Sequence, residues 1–199
     1  MNAQASIILA SKSQSRRAML DNAGVRYDAI AADLDERALE SDMAGASPSQ
    51  IAQNLAIAKA HNVAASHSDR IVLGSDSLVA VGNQRFDKPV SRANAAEHLR
   101  TFSGQTMHLH SAAALVRGKD CIWQHCALAK LHVRALGDEF IEHYLDAEWP
   151  QISYCAGAFR IEAMGAQLFS AIEGDQFTVL GMPLLPVLDA LRSEGALMS

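Results

Sequence analysis

The stretch "IILASKSQSRRAML", residues 7–20, sets the reading of this chain. Its apolar start has the length and branching of a buried strand, predicted over Ser6–Ala10. Met19, Leu20 and Ala23 follow at helical spacing and Gly24 suits a helix end, so a helix is predicted over Arg16–Ala23. Between the two stand Ser11, Lys12, Ser13 and Ser15, with Arg16 and Arg17 directly after. A strand that turns through a hydroxyl-rich loop into a helix aims free backbone N–H groups, and the positive end of the helix dipole, outward. That favours an anion. Ser11 and Ser13 would add donors, and Arg16 or Arg17 could grip a phosphate with two parallel N–H groups. The alternative is a serine-capped helix with solvated arginines. The Gly-x-x-x-x-Gly-Lys pattern of a P-loop is absent.

Outward from that stretch the chain alternates strand and helix signals. A strand is predicted over Tyr27–Ala32, and a helix opens at Ser47-Pro48-Ser49-Gln50 and runs through Ile51, Leu55, Ala58 and Val63. Ile71–Leu73 and Leu78–Val81 read as two β-like pieces around a polar kink at Gly74–Ser77, with a turn at Gly82-Asn83. A helix over Ala93–Phe102, paired strands over Met107–Val116 and Cys121–Val133, and a helix over Asp138–Asp146 follow. Ile161 and Leu168–Ile172 suggest strand, and Pro183–Leu191 a last amphipathic helix. The expectation is a single α/β domain over residues 1–199 with a mixed sheet.

Bulk properties exclude several classes. The 199 residues suffice for one sizeable core. A net charge of −5 argues against a surface that coats nucleic acid, though it leaves room for a small cationic pocket. There is no apolar run of about 18 residues that could span a membrane, and the opening residues do not have the form of a secretory signal. Three cysteines, an odd number, fit a reducing compartment better than a disulfide framework, so a cytoplasmic location is expected.

Several further residues could carry chemistry. Asp76 interrupts an apolar strand, a costly place for a charge without a partner or a task. It could hold a metal or take a proton from water, or be a turn residue beside Gly74. Lys88, before Pro89, sits in a segment held extended and could reach a phosphate, or be a solvated loop lysine. Lys59 lies on an Ala-rich helix and could instead snorkel to the surface. Asp33, Asp35 and Glu36 could hold Mg²⁺ through water, or form a solvated acidic loop. His108, His110, Cys121, His125 and Cys126 allow a zinc site in principle, but without zinc-finger spacing. Cations with a strand-embedded carboxylate and an acidic patch suit phosphate chemistry as a set.

In order, "ILASKSQSRRAML", "DLDER", "AIAKA", "GSDSLVAVGNQRFDKPVSRANAAEHLRTFSGQT" and "YCAGAFRIEAMGAQLFSAIEGDQFTVLGMPL" resemble the Maf family of nucleoside triphosphate pyrophosphatases, over nearly the whole chain. The resemblance implies an elongated mixed sheet of the Maf/Ham1 type, flanked by helices around a central cleft. It implies a divalent cation, Mg²⁺ or Mn²⁺, and water attack at the α-phosphorus of a nucleoside triphosphate. By the same resemblance Asp76 is the general base and a metal-linked group, and Glu36 helps hold the metal. Lys59, Lys88, Arg16, Ser11 and Ser13 contact phosphate. The branch acting on dTTP and UTP carries Lys-Ala-Gly-Ala-Tyr-Gly-Ile-Gln where this chain reads "CAGAFRIE", residues 155–162. Cys155 and Glu162 are similar to the branch acting on 7-methyl-GTP, and a carboxylate can accept from guanine N1–H and N2–H₂. Ser15 and Ser77 occupy two more positions that matter for substrate choice, where that branch typically has Trp and Gln. A small nucleotide is the implied partner, without nucleic acid or membrane, and the family leaves a homodimer open. The competing readings are a dTTP/UTP-type pyrophosphatase and a non-catalytic nucleotide-sensing regulator of cell division.

Overall fold

The computed structural model describes residues 7–198. In chain order the elements are β1 (Ile7–Leu9), α1 (Gln14–Asn22), β2 (Tyr27–Ala29), α2 (Glu36–Ser41), α3 (Pro48–Ala64), β3 (Ile71–Val81) and β4 (Gln84–Phe86). Then come α4 (Arg92–Phe102), β5 (Thr106–Arg117), β6 (Asp120–Val133), α5 (Asp138–Glu148), β7 (Phe169–Glu173), α6 (Gln176–Val179) and α7 (Leu184–Ser193), with two 3₁₀ turns between α5 and β7. The sheet order is β2-β1-β3-β5-β6-β7, with β4 paired to β3. Parallel pairing of β1 with β2 and β3, and antiparallel pairing of β3 with β4 and β6 with β7, make it the mixed α/β sheet expected. No helix among the described residues is long and apolar enough to cross a membrane.

The chain divides into two compact units. One takes the chain up to Ser77, His110–Ala127 and the residues from Gln176 onward; the other takes Leu78–Leu109 and Leu128–Asp175. In the first unit β1 is buried on both faces, as a parallel strand under helices must be. Ile7 and Leu9 pack with Met19 and Leu20 of α1 and Val187 and Leu191 of α7. Ile8 and Ala10, pointing the other way along the pleat, pack with Ala60, Val63 and Ala64 of α3. Burying each of the larger of these side chains contributes about 1.5–3 kcal/mol. In the second unit Phe86 and Phe102 meet edge to face at 4.7 Å between centroids, and Arg92 ties α4 to Glu142 and Asp146 of α5.

Three expectations need correcting. Gly74–Ser77 is no kink: β3 runs unbroken from Ile71 to Val81. Gly74 is there because α3 lies against it, and a Cβ would come within 2.8 Å of the Ala60 amide nitrogen. A glycine inside a strand marks close approach as readily as a break. The second strand ends at Ala29 rather than Ala32. Ile161 lies in a turn, not a strand. The start of the first strand, Ser6, falls outside the described residues.

Candidate active site

The loop after β1 begins the site in the first unit. Ser13 caps α1, its hydroxyl accepting from the Arg16 amide at 3.4 Å, while the Ser11 hydroxyl accepts from the Ser13 amide at 3.2 Å. Ser11 also accepts from Arg16 Nη1 at 3.2 Å. Both hydroxyls therefore spend lone pairs on the protein and keep their single proton for another acceptor. Ser15 sits half-buried in the first turn of α1.

Arg16 is fixed from three sides. Its Nε donates to the Gly181 carbonyl at 2.9 Å, Nη1 to Ser11, and Nη2 to Ser77 Oγ at 3.1 Å. Two of its five N–H groups remain without a partner among the described residues. Ser75 and Ser77 also lie within 3.2 and 2.9 Å of the Gly181 carbonyl, and Ser77 lies 3.0 Å from Ser111, which donates to Thr178 O at 2.8 Å. Arg16 Nε, Ser75 and Ser77 can each donate to the Gly181 carbonyl, and either hydroxyl of the Ser77–Ser111 pair can donate to the other, so the groups form one connected polar network. Ser77, expected to matter for base choice, lies in this network and accepts from Arg16 Nη2. Burial pulls the Arg16 guanidinium's pKa down and Asp76 and Glu36 pull it back up; an arginine stays charged through such a shift.

Asp76, on β3, meets Lys59, on α3, with Oδ1 2.6 Å from Nζ; both side chains are 12% exposed. Lys59 is therefore no snorkelling surface residue. The same ammonium reaches Glu36 Oε2 at 2.9 Å, where the carboxylate is 47% exposed. Glu36 arrives there for local reasons. Asp35 caps α2 by accepting from the Ala38 amide at 3.0 Å, and Asp33 is pinned to α3 through Asn62, at 3.0 and 3.1 Å. The acidic stretch thus has separate tasks rather than forming one cation cage. Burial pushes the Asp76 carboxyl above the usual range, against the opposing pull of Lys59 and Arg16. No group of three or more His, Cys, Asp or Glu that could hold a metal occurs among the described residues. The zinc reading of the histidines and cysteines therefore has no cluster behind it.

The remaining expected residues gather in the second unit. Lys88 stands exposed before buried Pro89, and Glu162 is exposed in the turn after Phe159. Cys155 is half-buried; burial pushes its thiol up, Glu162 adds to this, and Arg160 and Lys88 oppose it. Raising the thiol in this way disfavours the thiolate form that a nucleophile needs.

Sequence reasoning missed Ser75, Ser111, Thr178 and Gly181 as parts of the site. Gly181 had a signal, being part of the "TVLGMPL" stretch. Its φ of +102° suits glycine, and a Cβ there would stand 3.2 Å from Ser77 Oγ.

Fold and site together define an α/β protein with a fixed arginine and a hydroxyl-rich loop beside a buried carboxylate. Residues 6–194 match the family described as Maf-like protein. A 7-methyl-GTP pyrophosphatase of Rhizobium meliloti (strain 1021) is 46% identical over 193 residues, 96% of this chain and 97% of that protein. A nucleoside triphosphate pyrophosphatase of Nitrobacter hamburgensis is 42% identical over 191 residues, 96% and 95% of the two chains. The HAM1 protein of Coxiella burnetii is similar with a TM-score of 0.44 at 16% identity, over 64% of this chain and 72% of that one. The chain belongs to the Maf family.

Proposed function

We propose that this protein, acting as one Maf-like domain over residues 1–199, is a nucleoside triphosphate pyrophosphatase. It hydrolyses a modified nucleotide, 7-methyl-GTP above others, to the monophosphate and pyrophosphate. The observation that carries the reading is the triad of Arg16, Lys59 and Asp76, an aimed guanidinium beside a buried carboxylate whose proton affinity burial has raised. The names of the relatives at 46% and 42% identity support it, and Glu162 supports the choice of base.

The residues divide the work. The two free N–H groups of Arg16, with the Ser11 and Ser13 hydroxyls, bind phosphate oxygens, and Lys88 adds charge. Asp76 takes a proton from water as the water oxygen bonds to the α-phosphorus. The bond from that phosphorus to the bridging oxygen breaks, and pyrophosphate leaves with the electron pair. Burial raises the proton affinity of Asp76, which makes its carboxylate a stronger base. Glu36 and Asp76 fit a divalent cation, Mg²⁺ or Mn²⁺. They are hard oxygen donors converging on a single ammonium, and such ions are held by one or two carboxylates with substrate phosphates supplying the rest. When bound, the ion supplies neutralisation of the phosphate charge.

The test is pyrophosphate release from the common NTPs and dNTPs, 7-methyl-GTP, ITP, 5-methyl-UTP and pseudo-UTP, with Mg²⁺ and with Mn²⁺. Fastest turnover of 7-methyl-GTP is expected. Preference for dTTP or UTP would overturn the assignment of the base and leave the chemistry standing. No release from any nucleotide would leave the regulator reading in its place.

A further inference from the structure

Glu148 is a buried acid that the reaction above does not use. It is 4% exposed and ends α5. Both facts count against it: burial penalises a carboxylate, and the carboxyl end of a helix carries partial negative charge. An apolar side chain at this position would fill the space without either cost.

Its contacts account for its presence. Oε2 accepts from Arg160 Nε at 2.8 Å and Oε1 from the Met164 amide at 3.2 Å. One turn earlier on the same helix face, the Tyr144 hydroxyl donates to the Ala158 carbonyl at 3.1 Å. Gly157 and Ala158 both lie in the left-handed region, at φ +86° and +55°. Two such residues in succession, one with a Cβ, need support from outside the loop. At the far end Gly165 folds back onto Arg160, where a Cβ would stand 2.8 Å from the Arg160 amide nitrogen. The segment from Ala158 to Met164 is therefore held at three points by one helix face, and Glu162 stands exposed between two of them.

We propose that Glu148 is a positioning residue for base selection: it clamps Arg160 and the Met164 amide so that the Glu162 carboxylate is presented in one orientation. The inference rests on the reading of Glu162 as the base-recognising residue. Glu148 itself touches no substrate. Its effect is on which nucleotide is chosen, not on attack at phosphorus.

The experiment compares kcat/KM for 7-methyl-GTP and for UTP in the full-length protein, its Glu162→Gln and Glu148→Gln variants, and the double variant. Gln at 148 keeps the shape and one acceptor while removing the charge that pairs with Arg160. A loss of the 7-methyl-GTP to UTP preference of about tenfold is expected in each single variant. The double variant should lose no more than Glu162→Gln alone, because one residue acts through the other. A purely structural residue would lower both substrates alike and add its loss to that of Glu162→Gln, and that result overturns the clamp. So does a preference lost in Glu162→Gln and kept in Glu148→Gln. A preference absent from the parent, or unchanged in Glu162→Gln, instead removes the base-reading assignment and the clamp with it. Should Glu148→Gln not fold, Arg160→Gln loosens the same clamp from its half-exposed side. A preference lost in Arg160→Gln then supports the clamp, and a preference kept there overturns it.

Discussion

In the first unit Arg16, Ser77, Lys59 and Asp76 hold one another, and little of them meets water; in the second, Lys88 and Glu162 stand exposed, while Glu148 and Tyr144 hold the segment that carries Glu162 from behind. On the proposed function the first cluster is a reaction centre fixed before its ligand arrives, where a charged group works because the protein has oriented it in advance. The second has exposed tips and a supporting layer beneath them, which on the proposed function suits a surface that reads a base. Triphosphate is common to every nucleotide and the base is not. On the proposed function the interlocked residues answer to what all triphosphates share, and the exposed ones to what distinguishes them.

Variants can break that contrast. Asp76→Asn has the largest expected effect, a loss of turnover of about 10²-fold or more with nucleotide binding retained, measured as kcat beside a direct binding titration. The same variant sharpens the contrast through stability. Burial raises the Asp76 pKa in the folded chain above its unfolded value. Between the two the folded chain binds more protons, so ionising Asp76 costs stability as pH rises through that interval, and the cost is fully present above the folded pKa. Asp76→Asn should therefore melt higher than the parent at neutral pH, with the gain fading below about pH 4, where the unfolded carboxyl is itself protonated. A variant that melts lower at neutral pH would mean the Lys59 pairing outweighs the burial.

Arg16→Ala comes next. It leaves the Gly181 carbonyl, Ser11 and Ser77 without their shared donor, and should cost about 1–3 kcal/mol in denaturant unfolding as well as affinity for inorganic pyrophosphate. Lys88→Ala should lower that affinity about tenfold while leaving the melting temperature unchanged, because a substitution at an exposed lysine disturbs little of the fold. Equal stability costs for these two cations would erase the difference between the two units. Glu36→Gln should also be mild for stability, within about 1 kcal/mol, since its bond to Lys59 is half open to water. Its larger effect should be a higher concentration of Mg²⁺ or Mn²⁺ needed for half-maximal rate.

Much of the molecule was legible in its residues. The serine loop between strand and helix, the charge inside β3 and the capped start of α3 each follow from local rules that need only neighbouring positions. The family motifs named Asp76, Lys59, Lys88, Glu36 and Arg16. Gly74 suggested a kink because a glycine in a strand has two meanings, and only the passage of α3 against it separates them. Gly181, 165 residues beyond Arg16, could not be seen as the carbonyl that aims it. Nor could Glu148 be told from any acid at a helix end before its bonds to Arg160 and Met164 were visible.

The sequence by itself determined the alternation of strand and helix, the hydroxyl-rich turn, the residue types for phosphate chemistry and the family. Those are properties of spacing and side-chain chemistry, which the linear order carries. Only the tertiary structure decided that Lys59 is shared between Asp76 and Glu36, that Ser77 supports Arg16, and that a buried acid holds the Glu162 loop. Each depends on burial and on contacts between distant segments, and hydrogen bonds and charges take their strength from the surroundings that folding creates.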